Sequence, residues 1–185
     1  AGDQATEGVE GEQTPEQARA NLRRDLSFLK RQLGDNLITA DREQIALNRE
    51  TPLCVDAQLF VEKVTAVQQH NHLPHLPCAT CTAVLIDAVA LYRDDFMAGY
   101  TLPDSTEFDE WQFFQRERLR QKLAIGLQQL ITGLQAEGAF EEAVVYGRRW
   151  LALDPLQEPV HRLLMQLYAQ AGQQTAALQQ YERCR

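Results

Sequence analysis

Leu22, Leu26, Leu29 and Leu33 follow one another at intervals of four, three and four residues, the spacing that lines apolar side chains along one face of a helix. The helix predicted around them starts near Thr14. Thr14 is a good N-cap, Pro15 fits the first helical position, and Gln17 can close a capping box. Gly34 is a natural stop. Residues 36–39 and 44–47 then read as two short strands around a polar turn. From Asp56 onward the pattern is helical. Asp56 is expected to cap a helix running to about Gln69, and a loop with Pro74 and Pro77 follows. A second helix is expected from about Ala79 to Tyr92, then an irregular stretch over 94–105. A long helix covers roughly Thr106 to Ala136, with an interruption or bend expected near Gly126 or Gly133. Further helices are expected at about 140–153, 157–171 and 174–185. The last reaches the end of the chain, so its partner surface is expected to be incomplete and the chain to be a fragment. Residues 1–13 are acidic and aperiodic and read as a flexible lead-in.

The helical part carries a repeat. Gly138 and Gly172 are 34 residues apart, as are Ala143 and Ala177, Leu130 and Leu164, and Leu134 and Tyr168. A period of 34 is the tetratricopeptide length. The glycines fall where one helix turns into the next, and the alanines where two helices approach closely. Asp154-Pro155 ends a unit, because proline cannot continue a helix. Such units stack side by side and leave a concave groove, whose usual work is to bind proteins or pack domains. The fold expected is therefore all-α, a tetratricopeptide-like helical repeat stack over residues 51–185, preceded over residues 14–50 by a helix and a short hairpin.

Composition agrees with helix: Ala, Leu, Gln, Glu and Arg dominate. The net charge of −8 is uneven. Residues 1–15 carry −4, residues 16–49 carry +2, and the rest carries −6. Only the middle segment suits a phosphate backbone, and the remainder suits protein partners. No apolar run is long enough to span a bilayer, and no signal peptide is visible. Four cysteines, unevenly placed, do not make a disulfide framework and point to a reducing cytoplasm.

Two constellations carry candidate chemistry. Arg19, Arg23 and Lys30 share one side of the first helix, with Arg24 and Arg31 beside them. A basic helix followed directly by a hairpin is the second half of a winged helix, in which the helix enters the major groove and the hairpin touches the backbone. The alternative is an ordinary solvated helix face. The second constellation is His70, His72, His75, Cys78 and Cys81. His72 or His70, with His75, Cys78 and Cys81, would give zinc four N/S ligands, and the site expected is a structural one. The alternative is a polar loop with half-buried cysteines at a helical turn. A redox pair is disfavoured, because no thioredoxin-like strand–helix pattern surrounds the C-x-x-C.

Nothing else predicts catalysis, and no enzyme is expected. P-loop, G-x-G-x-x-G, H-E-x-x-H and G-x-S-x-G motifs are absent from the sequence. Asp94-Asp95 and Glu141-Glu142 are expected beside helix starts, where they favour the dipole. His161, Trp111, Phe113, Phe114 and Trp150 are expected as packing residues. Arg116, Arg118, Arg120 and Lys122 spread around their helix and are expected to be solvated or paired with Glu117 and its neighbours.

Four segments carry a family resemblance: ALYRDDFMAGY (90–100), RERLRQKL (116–123), ALDPLQEPVHRLLMQLYAQAG (152–172) and ALQQYERC (177–184). Together they resemble the bacterial transcriptional activator domain, the tetratricopeptide-like domain of SARP-type activators. The segment ARANLRRDLSFLKRQLGDNLI (18–38) resembles the recognition helix and the start of the wing of the OmpR-like winged helix that precedes this domain in the family. Asp94 stands where the family usually has glycine. The first strands and helices of the winged helix have no counterpart, so the DNA-binding domain is expected to be truncated. The resemblance implies a cytoplasmic activator that binds DNA through the winged helix of the full-length protein. The candidate DNA contacts are Arg19, Arg23, Arg24, Ser27, Lys30 and Arg31. It also implies that the helical domain meets RNA polymerase, a downstream sensor or ATPase domain, or a second copy of the chain. The competing expectation is a repeat-type adaptor, or the regulatory module of a larger signalling ATPase or cyclase, with no DNA binding.

Overall fold

The computed structural model describes residues 14–48, 50–70 and 77–184. They fall into two compact units, Ala1–Leu53 and Cys54–Arg185. The expected lead-in over residues 1–13 lies outside the described residues.

The first unit opens with α1 (Pro15–Leu33). Its start is the predicted capping box. Thr14 Oγ1 accepts from the Gln17 N–H at 3.4 Å, and Gln17 Oε1 accepts from the Thr14 N–H at 3.1 Å. Gly34 ends the helix with φ 97°, and its N–H donates to the Lys30 carbonyl at 2.8 Å. The hairpin follows as β1 (Ile38–Ala40) and β2 (Ile45–Leu47), antiparallel, with Ile38 opposite Leu47. Both strands begin slightly later than the apolar pattern suggests. Asp41 sets the turn by accepting from the Glu43 and Gln44 N–H groups at 2.7 and 2.8 Å. Those backbone donors hold its carboxyl below the usual carboxylate range. The leucine face of α1 does not form a core here. The helix buries no residue, and Leu22, Leu29 and Leu33 are exposed.

Among its described residues the second unit holds six helices: α2 (Asp56–Gln69), α3 (Ala79–Leu91), α4 (Thr106–Ala136), α5 (Phe140–Leu153), α6 (Glu158–Gln170) and α7 (Gln174–Cys184). Each packs on the next in sequence, and α2 also touches α4. The result is the expected all-α stack. Val55, not Asp56, is the N-cap of α2. Asp56 occupies the first helical position, where its carboxylate still faces the positive end of the helix dipole.

The core runs along α4. Leu119, Leu123, Leu127, Leu130 and Leu134 are buried at spacings of four, four, three and four, one helical stripe. Phe60 and Val64 of α2, Leu85 and Val89 of α3, and Leu164 and Leu167 of α6 join the same core. Shortening one of these leucines to alanine is expected to cost about 2–5 kcal/mol through lost transfer energy and the cavity left behind.

Two glycine expectations resolve differently. Gly138 and Gly172 adopt φ 75° and 74°, so both repeat turns need the left-handed conformation that only glycine takes freely. Gly126 and Gly133 do not interrupt α4, which is helical throughout 106–136. They are buried contact points instead. A Cβ on Gly133 would come within 2.5 Å of the Thr82 hydroxyl on α3.

Candidate functional site

The α2–α3 connection gathers three side chains of types that can ligate a metal. His70 is the C-cap of α2, Cys78 the N-cap of α3, and Cys81 lies in the first turn of α3. His70 Nδ1 is 3.2 Å from Cys81 Sγ and 3.8 Å from Cys78 Sγ. The three ligand atoms lie within 4.8 Å of one another. Cys81 is buried, Cys78 half-buried and His70 exposed, so the cluster has a dry floor and an open side. The backbone N–H of Cys81 beside Cys78 lowers the Cys78 thiol below its ordinary range. Burial pushes the Cys81 thiol up. The structure therefore brings Cys78 and Cys81 together with His70. The other two sequence candidates, His72 and His75, lie outside the described residues.

A second cluster joins the end of α3 to α4 and α5. Asp95 binds Arg120 through two hydrogen bonds, Nε to Oδ1 at 2.8 Å and Nη2 to Oδ2 at 2.5 Å. The Tyr92 hydroxyl donates to the same carboxylate at 3.0 Å, and the Tyr92 carbonyl accepts from the Arg149 guanidinium. Arg120 holds the Asp95 carboxyl below the usual carboxylate range. Burial, followed by the neighbouring Asp95, pushes the Tyr92 phenol up to about 12. Asp94-Asp95 thus does not sit at a helix start, because α4 begins only at Thr106. Asp95 is a structural ion-pair partner, and Arg120 is paired with it as well as with Glu117 at 3.6 Å. Asp94 does not adopt a left-handed backbone. Among the described residues, only Met97 and Asp104 combine a side chain with positive φ.

Aromatic residues at the start of α4 pack against neighbouring rings but are not core. Trp111, Phe113 and Phe114 are 46%, 53% and 66% exposed. The inward position goes to Gln112, seven residues before Leu119 on the buried stripe. Its amide donates to the carbonyls of Met97 and Tyr100 at 3.0 and 3.1 Å, which fastens the 94–105 segment to α4. Trp111 keeps edge contacts with Phe96 and Phe108. Trp150 packs against the core as expected. His161 is buried: Nε2 is 2.9 Å from the Pro155 carbonyl, and Nδ1 is 2.5 Å from the Gln180 amide.

The basic residues of α1 are exposed except Lys30, which is partly covered. Arg24 pairs with Asp25 at 3.3 Å, and the Arg31 guanidinium lies 5.7 Å over the Phe28 ring. The Ser27 hydroxyl donates to the Arg23 carbonyl at 2.9 Å and is occupied by its own helix. Arg19, Arg23 and Lys30 remain as a basic face beside a helix–hairpin corner.

No helix among the described residues is long and apolar enough to cross a membrane. Comparison with the curated proteins gives no match. The family model described as "Bacterial transcriptional activator domain" matches residues 55–185, the whole of α2 to α7. With a stack of sequential helices carrying the 34-residue spacing of buried and turn positions, and with a family match over most of its length, this chain belongs to the bacterial transcriptional activator domain family.

Proposed function

We propose that the chain is part of a cytoplasmic transcription activator that joins a DNA-contacting winged helix, of which residues 14–50 are the second half, to a helical domain that binds other proteins. The observation that carries the reading is the order of parts. An exposed basic helix runs directly into a two-stranded hairpin, just ahead of a domain of an activator family. In a winged helix that order puts the helix in the major groove and the hairpin on the backbone. Arg19, Arg23 and Lys30, with Arg24 and Arg31 beside them, would neutralise phosphates or read base edges. The acidic helical stack would be repelled by DNA and suits RNA polymerase, a sensor or ATPase domain of the same protein, or a second copy. Chemistry of its own is not part of this role.

The test is binding of duplex DNA by the intact activator, measured by fluorescence anisotropy across a salt series. Changing Arg23 and Lys30 together to Ala should weaken binding and reduce the salt slope by about two, one for each lost phosphate contact. Unaltered affinity and slope would remove α1 from the DNA interface. They would favour an adaptor, or a regulatory module of a larger signalling protein, that does not bind DNA.

A further inference from the structure

We propose that His70, Cys78 and Cys81 are ligands of a structural zinc ion that clasps the end of α2 to the start of α3. Tetrahedral zinc with Zn–S near 2.3 Å and Zn–N near 2.0–2.1 Å requires S···N separations of about 3.5 Å and S···S separations of about 3.8 Å. The His70 Nδ1 distances to the two sulfurs, 3.2 and 3.8 Å, bracket the first value. All three donors lie within 4.8 Å of one another, so a small adjustment seats one ion among them.

Three further features favour a metal over a plain loop. Cys78 is the N-cap of α3, and its sulfur lies on the side of the other donors, 3.8 Å from His70 Nδ1. Cys81 is only 4% exposed, which shields the floor of the cluster from competing solvent ligands. The donors also come from opposite ends of the α2–α3 connection, so one ion would close the loop between two helices that pack on each other. The Thr82 hydroxyl accompanies the cluster, donating to the Cys78 carbonyl at 3.3 Å and fixing the first turn of α3. The three donors leave one tetrahedral position for a further ligand.

The experiment is cobalt and zinc titration of the whole purified chain, prepared reduced and metal-free. One equivalent of Co(II) should produce thiolate-to-cobalt charge-transfer absorption and intense tetrahedral ligand-field bands, and one equivalent of Zn(II) should abolish both. Native mass should show one zinc per chain. Cys78→Ser should lose the charge-transfer intensity and weaken zinc binding by at least about 100-fold, because a neutral hydroxyl replaces a thiolate. Serine is itself a favourable N-cap, so this variant should keep its helical circular dichroism. Cys54→Ser, at an exposed cysteine outside the cluster, should leave the cobalt spectrum unchanged. A chelator should lower the melting temperature of the zinc-loaded chain and leave that of Cys78→Ser unmoved. The proposal is overturned if the reduced chain takes up cobalt without charge-transfer bands. It is equally overturned if Cys78 and Cys81 are alkylated at the same rate with and without zinc, or if the pair only oxidises to a disulfide.

Discussion

Asp95 ties the end of α3 to α4, and its partner Tyr92 extends the link to α5. It receives Arg120 from α4 and the hydroxyl of Tyr92, whose carbonyl in turn receives Arg149 from α5. Asp95→Asn should destabilise the domain at neutral pH by about 1–2 kcal/mol. That is the low end for hydrogen bonds to charged groups, because the Arg120 side chain is 38% exposed. The pH dependence has a definite sign. The folded Asp95 carboxyl titrates below its ordinary value of 3.8, so its contribution is complete above that value and disappears as pH falls through the folded pKa. Urea denaturation at pH 7 and again below pH 3.8 should therefore show the gap between wild type and variant shrinking in acid. An equal gap at both pH values would mean that the ion pair is not its source. Sequence reading placed Asp94-Asp95 beside a helix start because only local neighbours are visible there. The true partner is 25 residues away and becomes adjacent only when α3 and α4 pack. His161 was easier, since a lone histidine in a leucine-rich helix must find partners within the fold, and it does. The His70–Cys78–Cys81 cluster was legible as composition. Which histidine reaches the sulfurs depends on where α2 ends, and spacing alone does not fix that.

At the scale of elements, the apolar period and the stop signals placed every helix of the second unit to within about a residue or two. Caps, prolines and glycines act locally, so their effect can be read without the tertiary structure. What they did not reveal is why α4 carries glycines. Gly133 faces Thr82 of α3, and an added methyl would meet the hydroxyl at 2.5 Å. Gly133→Ala should consequently destabilise the protein by about 1–3 kcal/mol through overpacking, despite the better helix propensity of alanine. Combined with Thr82→Ala, the same change should cost far less, because the hydroxyl is gone and the next nearest atoms of Thr82 stand off at 3.6 Å. Thermal melts of the two single variants and the double variant supply the cycle. Simple additivity would show that the Gly133–Thr82 contact is not the cause. The aromatic run at 111–114 packs ring against ring without joining the core for a related reason. The buried stripe passes through Gln112 and turns Trp111, Phe113 and Phe114 outward.

Across the whole second unit, helices adjacent in sequence are adjacent in space. Stability in such a stack is close to a sum of nearest-neighbour terms, so it should not be uniform. α7 packs on α6 and buries only Gln180, whereas α4 buries a stripe of leucines and touches α2, α3 and α5. Hydrogen exchange under native conditions should find the amides of residues 123–134 at least about tenfold better protected than those of residues 174–184. Equal protection would indicate a single all-or-none unit. The repeat behind this architecture was visible in the sequence because its turns demand a backbone angle that glycine supplies, and glycine is recognisable by name. How the two units are used together was not, because a basic face and an acidic stack each state a charge preference and name no partner.

Such an order also bears on how the chain is born. As the polypeptide leaves the ribosome, each new helix meets a surface that its predecessor has already laid down, and no helix must wait for a distant strand still to be translated. The left-handed turns at Gly138 and Gly172 let the direction reverse at once, so synthesis and assembly can advance together from the amino end, one helix at a time.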